Sequence, residues 1–61
     1  MDWWKDEQYI IKEIQDNERF GITYLYAKKI NNEWEYAIVN WYYQSPILIT
    51  KFKNGRLEEE R

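Results

Sequence analysis

The chain has 61 residues, with nine basic side chains against eleven acidic ones and neither cysteine nor histidine. This rules out a disulfide framework, a Cys/His metal centre and thiol or imidazole catalysis. The formal charge of −2 runs against a general nucleic-acid binder, which carries a basic excess. No apolar run approaches about 18 residues, so no membrane span is expected. The opening Met1-Asp2-Trp3-Trp4-Lys5-Asp6-Glu7 is acidic where a secretory leader is basic. The expectation is one small cytoplasmic domain over residues 1–61.

Twelve residues are aromatic: four Trp, six Tyr and two Phe. Aromatic rings carry large buried area, so they can fill a small core, and interfaces also favour them. Ile, Lys, Asn, Tyr and Phe together number 27, while Gly, Ala, Pro and Arg number eight. Through the codon table this bias points to an AT-rich genome, such as that of a low-GC bacterium or its phage.

Turn chemistry appears at Asp16-Asn17, Asn31-Asn32, Ser45-Pro46 and Asn54-Gly55. The first segment reads as a helix over about 3–16. Asp2 is its N-cap, and Asp6 and Glu7 lie in the first turns, where the helix dipole favours acids. Trp3, Ile10 and Ile14 fall on one stripe with Ile11 beside it. The rival is a strand at Tyr9–Ile14 turning through Asp16-Asn17. It would oppose Ile14 to Arg19, Glu13 to Phe20 and Lys12 to Gly21, which are poor cross-strand partners, so the helix is preferred.

The remainder reads as an antiparallel meander with strands at about 20–30, 33–43, 47–53 and 56–60. A two-residue primed turn at Asn31-Asn32 sets Lys28 against Glu35, Tyr24 against Val39 and Ile22 against Trp41. One complementary charge pair and several apolar pairs then share a face, as a correct register requires. A loop centred on Ser45-Pro46 opposes Val39 to Phe52, and Asn54-Gly55 signals a last hairpin. The expected fold is therefore α+β, with the N-terminal helix packed on a four-stranded antiparallel β-meander. Trp41, Val39, Phe52 and Ile22 are expected to be buried on its first face. The second face collects Leu25, Ala27, Trp34, Tyr36, Ile38, Tyr42, Ile47 and Ile49 among Lys29, Lys51 and Lys53. It is too apolar to stay in water.

The sequence offers little for catalysis. Its single serine, Ser45, precedes a proline and has no histidine to activate it. Two glycines cannot form a phosphate-cradling loop, and no calcium-loop pattern occurs. No enzyme activity, cofactor or metal is expected. The function these residues point to is a non-catalytic protein-binding module. Small size, aromatic richness and AT-rich bias suit a phage or mobile-element inhibitor or adaptor that blocks a host or defence protein. The expected partner-binding residues are Trp34, Tyr36 and Tyr42, with Lys29 and Lys53 at the rim, and the apolar second face leads us to expect a homodimer. The alternative is a sheet that binds single-stranded nucleic acid through the same interleaved aromatics and lysines.

Overall fold

The structure is a computed structural model that describes residues 2–53. It is a four-stranded antiparallel sheet in chain order: β1 (Ile10–Asn17), β2 (Gly21–Ile30), β3 (Glu33–Tyr42) and β4 (Ser45–Lys53). The proposed last hairpin and its strand at 56–60 lie outside the described residues. Among the described residues no helix is long and apolar enough to cross a membrane.

The helix expected over 3–16 does not form. Two single 3-10 turns, Trp3–Lys5 and Glu7–Tyr9, lead directly into β1. Isoleucine at 10, 11 and 14 disfavours a helix and favours a strand. An isolated helix of this length is marginal in water, whereas β1 adds a full ladder to the edge of β2. The helix-like spacing of the isoleucines has another cause. Ile10 opposes Tyr26 and Lys12 opposes Leu25, so Ile11 is an extra residue; Glu13 opposes Tyr24 and Gln15 opposes Thr23, so Ile14 is another. Two bulges three residues apart give this strand a repeat near three instead of two. The strand alternative was therefore right in kind but wrong in register. The turn lies beyond Asn17, with Asn17 opposite Gly21.

Asn17 builds that turn. Its side-chain oxygen accepts the backbone N–H of Arg19 at 2.8 Å and of Phe20 at 3.2 Å. Gly21 then closes it with φ +90°, the left-handed residue that such three-residue hairpin loops require. A Cβ at Gly21 would lie 2.1 Å from the Trp41 carbonyl oxygen of β3, so glycine is also needed for close strand approach.

The β2–β3 hairpin has the expected register throughout, from Ile22 opposite Trp41 to Ile30 opposite Glu33. Asn31 and Asn32 both have positive φ, at 53° and 67°, as a primed two-residue turn demands. The β3–β4 connection differs from expectation. The turn is Tyr43-Gln44, and Pro46 lies inside β4 opposite Trp41. As β4 is an edge among the described residues, a proline without an N–H is tolerated there. Ile47 opposes Asn40 and Leu48 opposes Val39; Ile49 is then an extra residue before Thr50 opposite Ile38. Up to Leu48 the faces are as expected. Beyond this third bulge they exchange, which sends Phe52 to the second face opposite Tyr36 and Lys51 and Lys53 to the first.

The first face holds the core. Trp3 and Trp4 of the N-terminal turns are buried in one cluster with Tyr26, Ala37 and Val39, and Tyr9, Ile10, Tyr24, Ile30, Trp41 and Leu48 pack around it. Trp3 meets Tyr9 edge-to-face at 5.9 Å. Asp6 stabilises the second turn by accepting the Gln8 backbone N–H at 3.1 Å and its side-chain amide at 2.9 Å. Of the four residues expected to be buried, Val39 is, Ile22 and Trp41 are half-buried, and Phe52 is 40% exposed because the bulge turns it away.

Gly21→Ala is expected to destabilise the domain by roughly 2–3 kcal/mol, through both the left-handed φ and the clash with the β3 backbone. Urea unfolding of the variant beside wild type measures this. A loss under 0.5 kcal/mol, within the scatter of ordinary surface substitutions, would refute the close approach.

Candidate functional site

The two N-terminal turns cover only part of the first face. They lie over the end nearer the Asn31-Asn32 turn, where Lys28 of β2 also sits 4.7 Å from the ring centre of Tyr9. The other end, bounded by the Glu18–Phe20 and Tyr43-Gln44 turns, is left open. A cleft of about 390 Å³ lies there. Tyr24 of β2 and Trp41 of β3 line it, as do Ile10, Gly21 and Ile22, while Glu7 and Tyr43 complete its lining. Glu7 is its charged member, and among the described residues no lysine or arginine contributes.

Internal bonds hold the rings in place. The Trp41 indole Nε1–H donates to the Tyr26 hydroxyl at 2.6 Å, and Tyr24 meets Tyr26 edge-to-face at 6.4 Å. Tyr26 itself is fully buried. Burial pushes its phenol above the ordinary value of 10.0; the bond from Trp41 opposes this, and the carboxylates of Glu7 and Asp6 add to it. The open end is secured from the second face as well. Asn40 donates through one side-chain nitrogen to the Phe20 carbonyl at 2.9 Å and to the Thr23 hydroxyl at 3.1 Å.

Large rings project beyond this frame. Phe20 is 65% exposed and Tyr43 84% exposed. Tyr43 also has φ 59°, a left-handed conformation that a bulky side chain rarely adopts. Its ring lies 4.5 Å from that of Tyr42.

The residues singled out from sequence do not form one surface. Trp34 is half-buried opposite Lys29, which is exposed. Tyr36 is only 3% exposed and stacks on Phe52 at 5.0 Å, so it packs the sheet instead of projecting from it. Tyr42 is exposed at the far end of the same face. Lys53 lies on the first face, where its ammonium stands 3.8 Å from both Glu33 and Glu35. Lys51 has crossed with it, opposite Ala37. The lysine–aromatic alternation that suggested a nucleic-acid platform is therefore divided between two faces. Sequence reading missed Glu7, Phe20, Gly21 and Tyr43 as site residues. Gly21, four residues after Asn17, was the available signal for the hairpin that frames the cleft.

The raised phenol of Tyr26 makes stability pH-dependent on the alkaline side. A folded-state value above the unfolded one leaves the contribution intact below about pH 10 and removes it as pH rises through the folded value. Urea midpoints are expected to fall above pH 10. Tyr26→Phe is expected to blunt that fall while losing about 1–2 kcal/mol at neutral pH, because the Trp41 N–H loses its acceptor. A variant with wild-type alkaline sensitivity would show that Tyr26 does not control it. Neither protein-family models, nor curated proteins, nor solved structures give a match to this chain.

Proposed function

We propose that this chain is a small non-catalytic protein-binding module that docks a partner on the open end of its first face. It acts as an inhibitor or adaptor on a host or defence protein in the cytoplasm, in keeping with the AT-rich bias of a phage or mobile element. The observation that carries this reading is Tyr43. A tyrosine in a left-handed turn position costs roughly 1–2 kcal/mol against glycine. With 84% of its surface exposed, its side chain buries little to offset that. Such a position fits asparagine or glycine better, and a strained exposed aromatic beside a cleft is what a binding role would retain. Tyr43 and Phe20 are anchors of the type that dominate interfaces. Among the described residues no group of acidic side chains is arranged to hold a metal, and Glu7 is the carboxylate that lines the cleft.

Binding and stability therefore separate at one residue. Tyr43→Asn is expected to raise stability by about 1 kcal/mol, or about 4–8 °C in Tm for a domain of this size, while weakening partner capture about tenfold. Affinity capture with wild type, Tyr43→Asn and Phe20→Ala tests this. A partner retained undiminished by both variants would remove this surface from consideration.

A second reading concerns self-association. Tyr42, Ile47 and Phe52 are exposed on the second face, which no other element covers among the described residues. A two-fold homodimer through this face would bury them and add stability to a small core. Light scattering is expected to give twice the 7.7 kDa chain mass, and Ile47→Lys to return it to one. A constant single-chain mass across concentration would end this second reading.

A further inference from the structure

We propose that the cleft at the open end of the first face receives an arginine side chain presented by the partner protein. The inference rests on the protein-binding reading above and names the chemistry of the group that is bound. The walls are aromatic, with Trp41, Tyr24 and Tyr43 around one space, and Glu7 is the charge within them. Aromatic faces attract cations through their quadrupole, and Trp does so best. The planar guanidinium lies flat on such a ring and forks onto a carboxylate with two parallel hydrogen bonds. The cleft supplies both elements. Its volume of about 390 Å³ exceeds that of one side chain, so the group can enter with part of its backbone.

Two further features favour a cation. The Trp41 indole nitrogen is already engaged by the Tyr26 hydroxyl at 2.6 Å, which fixes the ring. The N–H is therefore taken, so what Trp41 offers a ligand is its ring, whose face favours positive charge. Carboxylates gather beside the cleft, with Arg19 of the Glu18–Phe20 turn as the neighbouring base. Besides Glu7, the register of β1 places Glu13 opposite Tyr24 and Asp16 opposite Ile22, next to two lining residues. Of the first-face lysines, Lys28 lies over the ring of Tyr9 and Lys53 stands beside Glu33 and Glu35, while Lys51 lies opposite Ala37, outside the lining of the cleft. A nucleic-acid strand would bring its phosphates towards these carboxylates, which opposes the single-strand alternative at this end. Apolar side chains could fill the space but would gain nothing from Glu7, which is exposed and stays hydrated.

The test is a titration of the 61-residue chain with acetyl-Gly-Arg-Gly-amide, followed by NMR at the Trp41 indole and the Tyr24 and Tyr43 rings. The control is the same peptide with citrulline, which keeps the shape and removes the charge. The arginine peptide is expected to shift these signals saturably in the millimolar range, and the citrulline peptide to leave them in place. Glu7→Gln, a change at an exposed position, is expected to weaken arginine binding about three- to fivefold, while its spectrum reports an intact fold. Equal response to the two peptides would overturn the proposal, as would shifts centred on Trp34. The two readings fail in different ways. Partner capture that depends on Tyr43 but is indifferent to Glu7→Gln would overturn the arginine inference and leave protein binding standing. A cleft that binds the arginine peptide while capture ignores Tyr43 and Phe20 would overturn the docking reading and, with it, the partner as the source of the arginine.

Discussion

The bond from the Trp41 indole to the Tyr26 hydroxyl organises this structure. Tyr26 has no exposed surface, so its hydroxyl needs a partner or its burial is penalised. Trp41 supplies that partner across the β2–β3 pair at 2.6 Å. The bond satisfies the hydroxyl of a tyrosine buried at the centre of the sheet. It also sets the angle of the ring that divides the closed half of the first face from the open half. Trp3 and Trp4 cover one side of that division, while the half-buried Ile22 and Gly21 line the cleft on the other. Core and cleft thus share a wall, and a substitution that loosens one loosens the other.

The β2–β3 hairpin was legible because local and non-local signals agreed. Asn31-Asn32 is a turn that wants positive φ at both positions, and every pair it implies has chemical sense. The N-terminal segment misled because two bulges gave a strand the spacing of a helix. Within it, Asp2 reads as a helix N-cap and Asp6 and Glu7 as first-turn acids; it is Asp6 that caps, and the turn it caps is a single 3-10 turn. The end of β4 misled for the same physical reason, since a bulge at Ile49 reversed the alternation from which Phe52 had been assigned to the core.

The candidate site was hidden by the helix. A helix over 3–16 would run about 20 Å and cover most of the first face. Under such a helix the aromatic residues of that face, Trp41 and Tyr24 among them, belong to the core, which leaves the second face as the surface for binding. There, Tyr36 and Phe52 answer much of the need for cover by stacking on one another. What sequence reading could not supply was the length of the cover. Two 3-10 turns end at Tyr9, and the open cleft beside Tyr24 and Trp41 follows from that short reach.

The three bulges have a consequence for how this fold relates to its own chain length. Each extra residue, Ile11, Ile14 and Ile49, is exposed, and each sits on β1 or β4, the outer strands among the described residues. Removing any one of them would close its bulge while every other residue kept its present partner and face. Elsewhere in β2 or β3, dropping a residue would turn half a strand over. These isoleucines also break the outer strands into short regular stretches, so among the described residues neither edge offers a long flat ladder to a neighbouring molecule. Three residues could therefore be lost without altering the order or the facing of the sheet, but the shortened protein would carry straighter edges and a greater tendency to grow into fibres.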